Sequence, residues 1–494
     1  MKLNKNNLNG LLLAGFSALL LTVASPGFDY GFIAWFALVP LFFAVGKKLL
    51  KPVYAGLVFG WIYYFFGISW LSYPLTDIGN APLFITWIVT GIFALYLALY
   101  YGLTMWLFAH SRGSLVYVPL FFAASEFFRA IFLTGFPWLT LAQTQYLYPE
   151  ILTINAFLGE HGLSLLIVLS NLLIYHGLKS KNYVRLALGS LLPVALFYLG
   201  AVTPDYEDEG LIKSRMIQTG IGQEEKWDQE RVERVVNTVQ RKLLDSEHKN
   251  YDLVVMPETA YPVFVQDDPI LNFTLSAIGD ETPLLTGVMR HEVINDRREF
   301  FNSAKLYAGD NSSTYDKVHL VPFGEYFPFA GLLKPIDDYF FHGAQDYAKG
   351  TDFSIFNLGK MRIAPLICYE GAFYKQLKAQ TEKGANLVVL VSNDSWFGFS
   401  HGRYQHLAVD VMRSAEFGRW ILRCTQSGIS AYIDDRGRVV STLGVSESGY
   451  LDHQAELISQ RTFFSRFGYI WLALVALCVF GYTAVTHMRG YKKH

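Results

Sequence analysis

Met361-Arg-Ile-Ala-Pro-Leu-Ile-Cys-Tyr-Glu370, followed by Gly371 and the amphipathic stretch 372–382, is the passage whose reading decides the fold. The apolar run up to Ile367 is short enough for a buried strand, and 372–382 has the makings of a helix. Cys368 therefore stands where a strand hands over to a helix. A thiol there feels the positive end of the helix and ionises more easily. A lone cysteine is most often a small core hydrophobe, so the weight of this one depends on what lies around it.

Working outward, the region from about 204 to 466 alternates strand-like and helix-like segments. Strands are expected at 211–218, 252–256, 283–288, 302–307, 312–317, 363–368, 387–392 and 421–425, and a hairpin at 430–443 about Asp435-Arg-Gly437. Helices are expected at 228–246, 270–278, 372–382 and 406–419. The first of these carries Val232, Val235, Val236, Val239 and Leu243 on one face. Such alternation describes a layered α/β domain.

Two further stretches keep Cys368 company. Val254-Val-Met-Pro-Glu-Thr259 places Glu258 just past a buried strand, where a partly desolvated carboxylate can serve as a base; alone, it reads as a capping or surface glutamate. Tyr315-Asp-Lys-Val-His-Leu-Val-Pro-Phe-Gly-Glu-Tyr326 places Lys317 at a strand end and Glu325 in the loop beyond; a lone lysine is usually a solvated charge. Strand ends gather at one edge of an α/β sheet. A carboxylate, a cation and a thiol brought together there suffice for nucleophilic acyl transfer.

The first two hundred residues are of another kind. Apolar runs at 8–24, 32–45, 53–71, 83–109, 115–133, 162–178 and 184–201 read as membrane helices, with an eighth at 467–487. A cleaved leader is the other reading of the first run, but more apolar runs come directly after it. Lys2, Lys5, Lys47, Lys48, Lys51, Arg112, Lys179, Lys181, Arg185, Arg489, Lys492 and Lys493 fall on one side of these runs, and the loops 25–31 and 72–82 have no Lys or Arg. By the positive-inside rule both termini are cytoplasmic and the α/β region is outside. This divides the chain into a membrane domain (1–203), an outer catalytic domain (204–466) and a last helix with its tail (467–494). Glu126 and Arg129, three apart in the fifth run, form a mutually satisfied pair or contact a lipid headgroup. The loop from Leu133 to Leu139 is an interfacial aromatic anchor or an entrance to the outer domain.

Composition agrees. Of the 494 residues, 52% are hydrophobic and only 17% charged, against roughly 25% charged in ordinary soluble domains. A net charge of −1 argues against a general nucleic-acid role. Cys368, Cys424 and Cys478 contain no Cys-x-x-Cys pair, so neither a disulfide framework nor a zinc site is expected. No metal or other cofactor is expected.

Glu258, Lys317 and Cys368 match in order and context the triad of the carbon–nitrogen hydrolase (nitrilase) superfamily, which the outer domain resembles. The whole chain more closely resembles the membrane-bound apolipoprotein N-acyltransferase family. The match rests on the membrane runs, Gly135-Phe-Pro-Trp138, Pro257-Glu-Thr259, His319-Leu-Val-Pro-Phe-Gly-Glu325, Ile367-Cys-Tyr-Glu370 and Ser392-Asn-Asp-Ser-Trp-Phe-Gly398. The resemblance implies a multi-pass α-helical membrane domain of about eight helices joined to a nitrilase-like αββα sandwich. It implies an enzyme of the bacterial inner membrane, working on the periplasmic side, that moves an acyl chain from the sn-1 position of a phospholipid, phosphatidylethanolamine foremost, to the α-amino group of a diacylated apolipoprotein. In that scheme Glu258 is the base, Cys368 the nucleophile that carries the acyl group as a thioester, and Lys317 the oxyanion stabiliser. Glu325, Glu370 and Tyr369 support the site, and Trp227 and Trp138 line the substrate's place.

Gly220 and Gly222 stand where that family more often has Asn and Pro, Met256 where Trp is common, and Thr425-Gln-Ser-Gly428 where Asn is common. These departures bear on pocket shape rather than on the triad. Two other classes of function remain as readings of the residues: a membrane-tethered amidase using water and the same triad, and a non-enzymatic membrane scaffold or transporter. Few ionisable groups in the apolar runs, and an intact triad, count against the last.

Overall fold

A computed structural model describes residues 5–228, 230–328, 346–475 and 477. The chain forms two units. One comprises Met1–Phe66, Phe93–Thr203 and Thr462–His494, the other Gly67–Ile92 and Pro204–Arg461.

The first unit is helical: α1 (Lys5–Ala24), α2 (Val39–Gly46), α3 (Pro52–Gly67) up to Phe66, α4 (Leu83–His110) from Phe93 on, α5 (Tyr117–Arg129), α6 (Asn155–Ser180) and α7 (Tyr183–Ala201). Among the described residues α1, α4, α6 and α7 are each long and apolar enough to cross a membrane, and α3 with Ser69–Asp77 adds a fifth only as a pair bent by 52°. Their outward residues, such as Leu95, Leu99, Leu103, Leu188 and Leu191, are apolar and exposed, as a lipid-facing surface requires. The chain is a multi-pass membrane protein.

Three of the expected spans are not single long helices, the one at 53–71 being the bent pair just described. The run at 32–45 breaks into a 3-10 turn, Gly31–Trp35, and the 8-residue α2. The run at 115–133 gives α5, which ends at Arg129 after 13 residues, or about 20 Å at 1.5 Å per residue, against about 30 Å of hydrocarbon. Polar demands at its end explain the stop. Glu126 Oε1 accepts from the Leu141 amide at 2.8 Å. Arg129 Nη1 donates to the carbonyls of Phe136, at 2.9 Å, and Trp138. Glu126 and Arg129 thus serve the returning loop rather than each other, which corrects the mutual pairing read from their spacing. The run at 467–487, Cys478 and the basic tail fall largely or wholly outside the described residues.

The second unit is built on two six-stranded sheets. The first has the order β12-β1-β2-β3-β4-β5 and the second β11-β10-β9-β8-β7-β6. The strands are β1 (Leu211–Gln218), β2 (Leu253–Val255), β3 (Leu284–Ile294), β4 (Arg297–Tyr307), β5 (Ser313–Asp316), β6 (Phe356–Leu358), β7 (Met361–Ile367), β8 (Leu387–Ser392), β9 (Ile421–Thr425), β10 (Ser430–Ile433), β11 (Val439–Leu443) and β12 (Gly449–Glu456). β1, β2 and β3 run parallel, as do β7, β8 and β9, and antiparallel partners flank each trio. Met216, Val255, Leu285 and Leu306 from the first sheet bury themselves against Ile363, Val389, Leu422 and Cys424 from the second. Cys424 is thereby an inert core residue. Helices α8 (Val232–Leu244) and α9 (Pro269–Glu281) cover the outer face of the first sheet through Val235, Val239, Leu271 and Leu275. Helices α10 (Tyr374–Glu382) and α11 (Gly402–Phe417) come after β7 and β8 in the chain. The result is the αββα sandwich expected, with the central parallel strands β2 and β8 buried along their whole length because both their faces are covered.

The segment before α4 belongs to this unit. Trp70 Nε1 donates to Gln405 Oε1 at 3.0 Å, and Gln405 Nε2 to the Gly67 carbonyl at 2.9 Å. Tyr73 lies against Gly398, where a Cβ would come within 2.5 Å of its ring.

Candidate active site

Each residue of the expected triad stands just past a strand. β2 ends at Val255, shortly before Glu258; β5 ends at Asp316, directly before Lys317; β7 ends at Ile367, directly before Cys368. β3 approaches so closely that a Cβ on Gly287 would lie 2.4 Å from the Glu258 Cα. Only glycine lets the two backbones meet there.

Glu258 is 6% exposed and Lys317 1%. Glu258 Oε1 accepts from Asn302 Nδ2 at 2.7 Å and lies 3.5 Å from Lys317 Nζ, while Oε2 accepts from the Asn393 amide at 2.8 Å. Lys317 Nζ also lies 2.8 Å from Glu325 Oε1, to which Asn302 donates at 2.7 Å. Burial by itself would lower the Lys317 pKa, but Glu325 and Glu258 outweigh it and hold the ammonium above the ordinary lysine range.

Glu370 is fully buried. Its Oε1 collects the Tyr315 hydroxyl at 2.8 Å and the amides of Val318 and His319 at 2.7 and 3.0 Å, and its Oε2 takes the Ile367 amide at 3.0 Å. One carboxylate thereby ties the strand end before Cys368 to the chain just beyond Lys317. Tyr369 stacks edge-on to Phe373, which lies face to face with His319.

Cys368 is half-buried. The thiol is not acidified as its position in the sequence suggests. Cys368 opens a five-residue 3-10 turn, Cys368–Ala372, too short to present a helix end. Burial first, then the Glu258 carboxylate, push the thiol well above its ordinary range, and Lys317 and the Ser392 hydroxyl offset only part of this. The protonated thiol is thereby the favoured form, with the Glu258 carboxylate in its electrostatic field.

Trp227 is 41% exposed on the segment Gln223–Trp227 of this unit. Trp138 belongs to the first unit, where it is buried. Three neighbours of the triad escape a reading of the sequence. Asn302, in β4, bridges Glu258 and Glu325; a strand asparagine carries no signal of this. Asn393 stands in the sequence as one member of a longer motif, with nothing to single out its amide. Lys226 is 0% exposed, and its Nζ donates to the Glu258 carbonyl at 3.3 Å. Burial pushes its pKa down to about 8, with Glu258 opposing. Its place next to Trp227 is the one signal the sequence offers.

A sandwich of this kind, joined in one chain to a set of membrane helices, defines a class: membrane proteins carrying a carbon–nitrogen hydrolase domain. Residues 216–459 match the family described as carbon-nitrogen hydrolase, and residues 17–173 match the apolipoprotein N-acyltransferase N-terminal domain. The chain is 31% identical to the apolipoprotein N-acyltransferase of Geobacter metallireducens, over 95% of this chain and 94% of that one. It is 30% identical to the one from Nitrosomonas europaea, over 92% and 93%. Among solved structures, a carbon-nitrogen hydrolase from Helicobacter pylori aligns at 15% identity over 53% of this chain and 94% of its own, with a TM-score of 0.38. The chain belongs to the apolipoprotein N-acyltransferase family. It is an acyltransferase.

Proposed function

We propose that the protein transfers the sn-1 acyl chain of a phospholipid, phosphatidylethanolamine foremost, to the α-amino group of the N-terminal diacylglyceryl-cysteine of an apolipoprotein. The relatives' name supports the acceptor, and the convergence of Glu258, Lys317 and Cys368 at three strand ends is the observation that carries the chemistry. Glu258 takes the Cys368 proton as the sulfur attacks the ester carbonyl. The oxyanion forms near the Lys317 ammonium, which spends two of its contacts on Glu325 and Glu258 and has a third hydrogen to give. The C–O bond breaks, Glu258 returns the proton to the departing lysophospholipid oxygen, and a thioester remains. The acceptor amine then attacks the thioester and yields a proton to Glu258. The amide forms and Cys368 leaves as thiolate and is reprotonated. Both substrates are lipid-anchored, so confinement to one membrane raises their effective concentration. The reaction then belongs on the periplasmic side of the inner membrane, in accord with the charge pattern of the loops.

The test is the intact mass of the detergent-purified protein after incubation with phosphatidylethanolamine, for wild type and Cys368→Ala. An acyl-sized adduct on wild type alone, discharged by a diacylated lipopeptide, is the expected result. A folded wild-type protein that takes up no acyl group sinks the scheme and promotes the amidase reading.

A further inference from the structure

Cys368 has φ = 52°, in the left-handed region that a side-chain-bearing residue enters only under strain and keeps only where its surroundings dictate it. Beside the Glu370 carboxylate, the surroundings include one helix. His406, in α11, brings Nε2 to 3.4 Å from the Cys368 carbonyl oxygen. One turn further along α11, Asp410 Oδ1 occupies the space beside Gly371, where a Cβ would come within 2.3 Å of it. The turn that presents the thiol is therefore seated on two side chains four residues apart.

His406 is itself held from behind. Its Nδ1 lies 2.8 Å from Asp394 Oδ1 and 2.9 Å from Arg423 Nη2. Arg423 donates to Asp394 Oδ2 at 2.9 Å, to Asp410 Oδ2 at 2.6 Å and to the Ile429 carbonyl at 2.6 Å. Ser392, whose hydroxyl acts on the Cys368 thiol, donates to Asp394 Oδ1 at 2.9 Å. Asp394, Asp410 and Arg423 are fully buried. Burial works against the Asp394 carboxylate, but Arg423 and His406 hold it well below the usual range, so it stays ionised. A carbonyl only accepts, so the contact with Cys368 needs hydrogen on Nε2. In a neutral ring the arrangement that supplies it is Nδ1 accepting from Arg423; with Nδ1 donating to Asp394, only a doubly protonated ring carries hydrogen on Nε2.

We propose that His406, braced by Asp394 and Arg423, is a positioning residue for the nucleophile. It grips the Cys368 carbonyl, fixes the peptide plane on the C-terminal side of the residue, and so holds the strained backbone conformation that aims the sulfur. The peptide is planar, so with β7 holding the residue's other side, holding its oxygen fixes ψ at Cys368 and with it the direction of the Cα–Cβ bond. Buried networks of this kind are retained at a cost in stability and are expected where they impose one geometry. The proposal rests on Cys368 being the nucleophile.

The experiment compares wild type, His406→Ala and His406→Gln in detergent. It measures the single-turnover rate of acyl-adduct formation from phosphatidylethanolamine, the donor KM, the melting temperature, and the rate of Cys368 alkylation by iodoacetamide. His406→Ala is expected to acylate roughly 10- to 100-fold more slowly with the donor KM unchanged, and His406→Gln, which keeps a donor, to recover part of the rate. Wild-type acylation by His406→Ala overturns the proposal. So does a loss in both variants that tracks the fall in melting temperature without rescue by glutamine, because that is a packing role. If His406→Ala does not fold, His406→Gln alone decides: a lower rate at unchanged KM and near wild-type melting temperature supports the proposal, and an unchanged rate overturns it. If wild type itself takes up no acyl group, the reading of Cys368 as acyl carrier fails separately. The alkylation rate then judges the positioning role: altered in His406→Ala if His406 aims the sulfur, unaltered if it does not.

Discussion

The ammonium of Lys317 lies 2.8 Å from Glu325 but 3.5 Å from Glu258. Its principal counter-ion is thus the carboxylate that does no proton transfer in the proposed scheme. Neutralising Glu325 hands the whole ammonium to Glu258 and weakens it as a base. Glu325→Gln is expected to slow acyl-enzyme formation by roughly 10²-fold, the scale of a general base's contribution, with the melting temperature little changed. Stopped-flow or quenched single-turnover assays read this directly; a wild-type rate removes Glu325 from the site.

Glu258 and Cys368 oppose each other electrostatically before substrate arrives. The carboxylate holds the thiol pKa up, so Glu258→Gln makes the thiol more acidic. Alkylation of Cys368 by iodoacetamide at about pH 8, near the ordinary thiol pKa, is expected to be faster in Glu258→Gln than in wild type, while acyl transfer falls. The two rates move in opposite directions, and Cys368→Ser provides the blank. Slower alkylation in the variant would mean that Glu258 activates the resting thiol.

Lys226 makes a linkage prediction. Its folded pKa is about 8 against 10.5 for the free group. Between these values the unfolded chain binds more protons than the native one, so this residue's contribution to stability rises with pH from about 8 to about 10.5. Below about pH 8 it is a full penalty of about 3 kcal/mol, at about 1.4 kcal/mol per pH unit. Lys226→Met is expected to be more stable than wild type at about pH 7, with the difference shrinking towards about pH 10, and slower in acyl transfer because the Glu258 carbonyl loses its donor. Denaturation at several pH values checks the sign.

Glu370 carries no chemistry in the scheme but satisfies three amides and a phenol. Glu370→Gln keeps the size and replaces an acceptor oxygen with a donor, leaving buried donors facing one another. A loss of about 2–3 kcal/mol is expected, with activity lost in proportion to folded protein rather than through KM. An unchanged melting temperature would show that the turn at Cys368 does not depend on this carboxylate.

How much each element shows in the sequence depends on how it is buried. β8 is legible to the residue because it is a run buried on both faces, which writes itself as near-continuous apolarity. β12, Gly449–Glu456, escapes because it is an edge strand with Asp452, His453 and Gln454 in its middle. β3 and β4 extend well past the expected strands because their outer ends, around Glu292 and Arg298, are exposed and polar. The run at 115–133 looks like a span because hydropathy sees composition and not hydrogen-bond demand; Glu126 and Arg129 bend the chain away to satisfy its own loop. Glu258, Lys317 and Cys368 are legible because each lies in a recognisable strand-end context. Lys226, Asn302 and His406 are not, because a lysine beside a tryptophan, an asparagine in a strand and a histidine in a helix acquire their meaning only from partners far away in the chain.

Trp70, Tyr73 and the Gly67 carbonyl reach the sandwich from a point in the chain well before its first strand. A soluble fragment cut from Pro204 to Arg461 would contain every residue of the triad and still be unfinished. Gln405 would lose partners on both sides of its amide, Gly398 would face a vacated aromatic site, and the loop leading into α11 would be left unroofed. Anyone exchanging membrane parts between relatives, or expressing the catalytic portion alone for inhibitor screening, should carry the 67–92 excursion along as cargo, through a circular permutation or a tethered peptide, because heredity of the site does not follow the linear order of the gene.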